Sequence, residues 1–483
     1  MKNRFGKKIL DIGKVTVSLL YLLLFIIAAP SCSVSKQINK GVNNILLKDS
    51  VIGTGHIGIS IYEPAINAYW YNYNATKYFV PASNTKLFTL YAGMKYLGDS
   101  LVGIYYQNFN DTSLNIFPAG DPTFLHPDFP NQPVLNFLRN KKYNIYISKK
   151  WDDKALGYGW SWDDYNDNYM VERSALPVYG NIVTFKINNL NFTSINSADI
   201  DWGISPNFFR DSINNYYSLP LKLQSKREIM DSSLSKKEVA NFSVIRNRSG
   251  NIFTLEKTNS KFTSQEIPFY VNEINTAIQI LKKDFALNIK EGWINDNSLY
   301  PGIPKHLKLN KIKSQPSDSL FTPMMHNSDN FFAEQTLLMA SNEHLGYMND
   351  KAIIDTLLNF DLKDIPQHPV WVDGSGLSRY NLFTPQSFVY ILNKMKNEFG
   401  LERLKKILPT GGEGTLKRYY NTDSNFIYAK TGSLSNQLAL SGFLNTKKNK
   451  LLIFSVLANN VNGSAAEVRR AVERFLQGIR KKY

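Results

Sequence analysis

Apolar and polar positions along this chain fall into three textures. Residues 55–62 and 68–73 alternate apolar with polar side chains and are rich in aromatics, with Glu63-Pro64-Ala65 between them as a turn. That period of two predicts a β-hairpin. Directly after it, Leu87, Leu90, Tyr91, Met94 and Leu97 recur at helical spacing and Gly98 supplies a stop. From about residue 100 to 315 short strand-like runs (144–148, 183–187, 242–246, 251–255) alternate with turns, and one clear helix, 272–284, interrupts them. Polar stretches such as 225–237 read as exposed. Beyond Ser314-Gln315-Pro316 helical patterns return, strongest over 330–340 and 385–399. Two apolar strands follow, 438–444 and 451–457, joined by a polar loop, and a last amphipathic helix runs from about 465 to 479.

Strands at both ends with helices between them predict an α/β (α+β) fold, an antiparallel sheet flanked by helices. Its two pieces are residues 51–100 and 316–483, and a mostly β insertion over 101–315, read as two subdomains, splits them. Residues 32–50 are polar and read as a tether. At 483 residues the chain is too long for one ordinary core, which fits this division. Hydrophobic content of 43% and aromatic content of 13% mark a globular chain.

The N-terminus changes the picture. Lys2, Arg4, Lys7, Lys8 and Lys14 precede an apolar run of 15 residues, 15–29, short for a membrane span. The run ends in Ala28-Ala29-Pro30-Ser31-Cys32, so residues 1–31 read as a signal peptide of lipoprotein type. Cys32, the chain's one cysteine, is then the candidate for lipidation. Cleavage there leaves no cysteine for a disulfide, a metal site or a thiol nucleophile. The net charge is +16, of which the N-terminal segment holds +4. So basic a chain favours anionic surroundings. An export signal argues against nucleic acid and for the bacterial envelope, periplasmic and anchored to a membrane.

The candidate chemistry begins with Ser83 and Lys86. Residues at i and i+3 share one face of a helix, so the pair sets a hydroxyl beside an amine, a nucleophile and a possible base without a histidine. Ser-x-x-Lys occurs three times, at 33/36, 83/86 and 233/236, and only the middle one opens a plausible helix. Downstream lie Ser328-Asp329-Asn330 and a single Lys430-Thr431-Gly432 directly before the strand hairpin. The six histidines show no metal-ligand spacing, and there is neither a Gly-x-Ser-x-Gly elbow nor a phosphate-binding glycine loop.

This ordered trio resembles the penicilloyl serine transferases. Further segments sharpen the resemblance: Gly120-Asp121-Pro122-Thr123, 159–164, 174–176, 328–335, 373–379 with Thr384-Pro385, 408–416, and 430–434 with 440–443. They are similar to those of the penicillin-binding protein 4 family of D-alanyl-D-alanine carboxypeptidases and endopeptidases. The family carries a large insertion between its first two motifs, and here Ser83 and Ser328 are 245 positions apart. The lipoprotein-like start is a departure.

The resemblance implies a β-lactamase/transpeptidase-like catalytic domain and a serine-type hydrolase acting on peptidoglycan stem peptides. It further implies β-lactam binding and no cofactor. Ser83 would be the nucleophile, with Lys86, Ser328, Asn330 and Lys430 catalytic. Thr431 would hold the substrate carboxylate, and the Ser83 amide with one past Gly432, that of Ser433, would form the oxyanion hole. Asp164 would grip the basic end of a diaminopimelate side chain; otherwise it is a loop or cap residue. Which lysine is the acylation base stays open at this level, as does the balance of carboxypeptidase and endopeptidase cleavage. Competing readings are a serine β-lactamase, against which the long insertion counts, and a non-catalytic wall-binding scaffold, against which the complete trio counts.

Overall fold

The computed structural model describes residues 34–139, 144–148, 151–190, 200–214, 242–257, 264–291 and 308–483. The signal segment, Cys32 and the polar stretch 225–237 lie outside them.

One antiparallel sheet of five strands organises the two ends of the chain. Strands β1 (His56–Glu63) and β2 (Ala68–Tyr73) come from the start, and β14 (Ile427–Leu434), β15 (Gln437–Asn445) and β16 (Leu451–Asn459) from the end. The order is β14-β15-β16-β1-β2, with His56 opposite Asn459 and Tyr62 opposite Ile453. Strands β15 and β16 are buried over nearly their whole length, because both sheet faces are covered, and this is why they read as continuous apolar runs.

On one face lie α2 (Lys86–Tyr96), α5 (Ser317–His326), α6 (Asn330–Leu345), α7 (Asp350–Thr356), α8 (Pro385–Phe399) and α9 (Leu401–Ile407). Leu87, Phe88, Leu90 and Tyr91 of α2 are fully buried among them. The opposite face is covered by α10 (Ala465–Lys482) and by α1, residues 34–47, whose second half is a π-helical turn.

Helix α1 corrects the expected tether. Ile38, Val42 and Leu46, four residues apart, form a narrow stripe in the same apolar cluster as Val468, Val472 and Phe475 of α10. Val34, Ile45 and Leu47 pack partly against the same cluster, and hydrogen bonds from Tyr71 to Asn39 (2.9 Å) and from Tyr483 to Gln37 (2.9 Å) help hold the segment on the sheet.

The insertion is pinned at its base by β3 (Ser100–Asn110) pairing antiparallel with β13 (Asn310–Pro316). Between them run β4 (Ser113–Pro118), β5 (Asn144–Ile147), β6 (Ile182–Leu190), β7 (Ile200–Ser205), β8 (Ile213–Asn214), β9 (Phe242–Arg246), β10 (Phe253–Lys257), β11 (Ser264–Pro268) and β12 (Ile289–Glu291). These form sheets ordered β12-β5-β4-β3-β13, β11-β6-β7 and β8-β10-β9. With α3 (Pro133–Arg139) and α4 (Asn275–Phe285) they meet in one apolar cluster that includes Ile116, Phe185, Phe253 and Ile278.

Arg173 ties the insertion to the catalytic helices. Its buried guanidinium contacts Asp153 (3.0 Å), Asp350 (2.6 Å) and Glu334 of α6 (3.4 Å).

Candidate active site

The site forms where α2, the start of α6, the edge strand β14 and the 373–381 loop converge. Pro81 and a tight turn over Ala82–Thr85 lead into α2, so Ser83 lies one turn before Lys86. Ala82 adopts φ +48°, a strained backbone for a non-glycine residue. The turn is fastened to the sheet through Asn84, whose Nδ2 donates to Ser441 Oγ on β15 (2.7 Å). Ser441 in turn bonds Ser455 on β16 (2.8 Å).

Lys86 is fully buried and its Nζ has three partners: Ser83 Oγ at 3.0 Å, Asn330 Oδ1 at 2.6 Å and the Ser375 carbonyl at 2.7 Å. Burial pushes its pKa down to about 8, although Asp329, Asp373 and Glu334 each pull it up. A neutral amine has two N–H bonds and one lone pair. The two carbonyl-type acceptors take both N–H bonds, which leaves the lone pair facing the Ser83 hydroxyl.

Asn330 opens α6. Asp329 caps the helix, accepting from the Phe332 amide (2.8 Å), and burial pushes its carboxyl pKa up. Ser328 just before it has φ +59°. The Asn330 amide bridges two parts of the molecule, since Oδ1 accepts from Lys86 while Nδ2 donates to the Tyr169 carbonyl in the insertion (2.8 Å).

Lys430 is also fully buried, and burial followed by the nearby Lys86 lowers its pKa well below the usual lysine value. It donates to Ser328 Oγ (2.8 Å) and to the Thr431 carbonyl (2.8 Å). The strand can come so close because residue 432 is glycine: a Cβ there would sit 2.5 Å from the Pro81 carbonyl oxygen and 3.1 Å from the Asn84 nitrogen.

The 373–381 loop aims the Ser375 carbonyl. Buried Asp373 accepts from the amides of Gly376 (2.9 Å) and Ser378 (2.6 Å), from Asn381 Nδ2 (2.7 Å), and from Trp160 Nε1 of the insertion (2.9 Å). The Ser375 amide donates to Glu334 Oε1 (2.7 Å), and burial first, then Asp373, pushes that carboxyl up to about 7. Gly376, at φ +82°, passes so close to the Ala82 carbonyl that no side chain fits.

Ser83, Lys86, Ser328, Asn330 and Lys430 are thus brought together. The side chains of Thr431 and Ser433 are otherwise engaged: Thr431 donates to Thr415 Oγ1 (2.8 Å), and Ser433 Oγ accepts from Arg469 of α10 (2.6 Å). Asp164 sits partly exposed in the short helical turn Trp162–Asn166. Burial, then Asp167 and Asp164, raise the pKa of the Tyr169 phenol, and the Tyr169 carbonyl is the one that holds Asn330. Cys32 lies outside the described residues. Among those residues no group of three or more metal-ligating side chains is gathered.

Sequence reasoning missed the Ser375 and Tyr169 carbonyls, Glu334, Arg173, and the Trp160–Asp373 bond. Trp160 and Asp373 both lie in segments that carry the family resemblance, but nothing in the sequence pairs them.

A model of the D-Ala-D-Ala carboxypeptidase 3 (S13) family matches residues 38–233 and 262–479. Penicillin-sensitive carboxypeptidase A of Dictyostelium discoideum is 32% identical over 115 residues, which are 22% of this chain and only 22% of that protein. A D-alanyl-D-alanine carboxypeptidase of Actinomadura sp. is 24% identical over 466 residues, 87% of this chain and 80% of that one. Among solved structures, penicillin binding protein 4 (dacB) from Haemophilus influenzae superposes with a TM-score of 0.65 at 18% identity, covering 92% of this chain and 98% of that one. The last match shows a shared fold.

Proposed function

Because the chain belongs to the D-Ala-D-Ala carboxypeptidase 3 (S13) family, we propose that it is a serine peptidase of the bacterial envelope, a D-alanyl-D-alanine carboxypeptidase or endopeptidase acting on peptidoglycan stem peptides. The observation that carries this reading is Lys86 Nζ, held by two carbonyl-type acceptors with the Ser83 hydroxyl as its third partner.

In the first step the Ser83 proton passes to the Lys86 lone pair as Oγ bonds to the carbonyl carbon before the terminal D-alanine. The amides of Ser83 and Ser433 take up the developing oxyanion. Collapse breaks the C–N bond, and the departing amine receives a proton through Ser328, which Lys430 holds. Water then hydrolyses the ester. The substrate carboxylate would offset the burial and the Lys86 charge that lower the Lys430 pKa, so Lys430 is its natural partner as an ammonium once substrate is bound, and Thr431 exchanges its bond to Thr415 for the same group. Asp164 would face the basic end of the stem peptide's third residue. A β-lactam presents a strained amide to the same hydroxyl and acylates it. Lipidation at Cys32 would hold the enzyme at a membrane.

Intact mass after incubation with benzylpenicillin tests the reading, with Ser83→Ala alongside. A stable gain of one penicilloyl group in the parent protein alone is expected. Drug hydrolysis with no retained adduct would point instead to a β-lactamase, and neither adduct nor hydrolysis to a non-catalytic scaffold.

A further inference from the structure

One end of the catalytic sheet gathers features that the reaction does not use. The β1–β2 turn, the β15–β16 loop, the last turn of α10 and the first turn of α1 all meet there. The Lys447 amide donates to the Arg480 carbonyl (3.1 Å), and the Lys448 amide to that of Tyr483 (2.9 Å). The Tyr483 ring packs on Trp70 of β2 (4.9 Å between centroids), and its hydroxyl donates to Gln37 Oε1 of α1 (2.9 Å). Lys447, Lys448, Lys481 and Lys482 are exposed around this junction. Beside them the β1–β2 turn exposes Ile66 (60%) and the start of β2 exposes Tyr69 (39%). Glu63, the acidic side chain on the described residues of these segments, is buried and paired with Lys450 (3.1 Å).

We propose that this end of the sheet is a docking surface for an anionic phospholipid bilayer. Lysines flanking an exposed aliphatic and an aromatic side chain suit such a surface. The ammonium groups meet the headgroups, and Ile66 and Tyr69 enter the interfacial layer. Four lysines near an anionic leaflet favour association by a factor on the order of 1,000.

The course of the chain supports the same occupant. The apolar run ends at Ala29 and α1 is under way at Val34, so five peptide units, at most about 18 Å, separate them. The first turn of α1 is the one that touches Tyr483. Whatever membrane holds the apolar run, or a lipid on Cys32, therefore lies within reach of this end. The surface also sets how far the site stands from the lipid. Ile427 of β14 pairs with Leu444 at the docking end, whereas Ser433, six residues on, stands roughly 20 Å farther along the strand. A docked enzyme would hold the Ser433 end of its site roughly 20 Å from the lipid.

The inference rests on the envelope reading above for the position of the chain's start. It is tested by hydrogen exchange on the full chain reconstituted into vesicles of neutral phosphatidylcholine, with and without about 30% anionic phosphatidylglycerol. Exchange across 64–69 and 446–450 is expected to slow severalfold on the anionic vesicles alone, and the effect should vanish in high salt. It should also be lost in K447E/K448E/K481E/K482E, while benzylpenicillin acylates that variant at the parent rate. I66S/Y69S should keep the salt-sensitive association but lose the slowing at 64–69. Equal exchange on both vesicles, or protection elsewhere on the surface, overturns the proposal. Protection by dextran sulfate but not by anionic vesicles overturns it in favour of an anionic polymer. Cys32→Ala, followed by fatty-acid labelling in cells, tests the anchor separately, because the vesicle result does not depend on lipidation.

Discussion

Lys86 and Lys430 stand at the same depth but are committed differently. Lys86 spends two N–H bonds on carbonyl-type acceptors and faces Ser83, whereas Lys430 is engaged by Ser328 and its own strand. With a pKa near 8, Lys86 is mostly protonated at neutral pH, and its free-base fraction grows as pH rises. The rate of benzylpenicillin acylation should therefore climb with pH and level off above about 8. Glu334 is one of the carboxylates that raise this pKa. Glu334→Gln keeps an oxygen for the Ser375 amide but removes the charge, so the midpoint of the rise should move to lower pH. An unmoved midpoint would mean that Lys86 is not the titrating base. The lysines and serines of the site were legible in sequence because side chains carry identity. The Ser375 and Tyr169 carbonyls were not, since any residue supplies a carbonyl and only the folded loop decides where it points.

At the scale of elements, the site depends on how closely β14 approaches the turn before α2. Gly432 permits that approach, with the Pro81 carbonyl and the Asn84 amide in the space a side chain would fill. Gly432→Ala should push the strand outward and carry Lys430 away from Ser328. A loss of acylation rate of at least about tenfold is expected, with a comparatively small change in melting temperature. A large loss of melting temperature with acylation intact would contradict this. The β1–β2 hairpin, α2, α8 and the β15–β16 pair were readable from periodicity, because each presents a regular apolar pattern to a large core. Helix α1 escaped because its fully buried positions, Ile38, Val42 and Leu46, are spread thinly among polar residues and its packing partner, α10, lies more than 400 positions away.

Across the whole molecule, the insertion and the catalytic helices are held in register by buried polar contacts. Arg173 is central, pairing with Asp153, Glu334 and Asp350 at once. Arg173→Met leaves those carboxylates buried without a cation and should cost about 3–5 kcal/mol, read as a drop in melting temperature. Stranded carboxyls have folded-state pKa values above their unfolded ones, so the penalty should ease as the pH falls toward 5 and they take up protons. A defect independent of pH would point to lost packing instead. This clamp was not legible in the sequence, because its members are scattered over 153, 173, 334 and 350 and no local pattern joins them. The strand order has its own bearing on biosynthesis. Strand β1 is laid down early, yet its inner neighbour is β16, and β14 is joined to it only through β15 and β16. A ribosome delivers Ser83 and Lys86 hundreds of residues before the strands that complete the cleft, and pairing across so long a separation is slow. A nascent or truncated chain that stops short of residue 451 thus carries the nucleophile without the sheet that seats it, so it should not react with benzylpenicillin until β16 has been made.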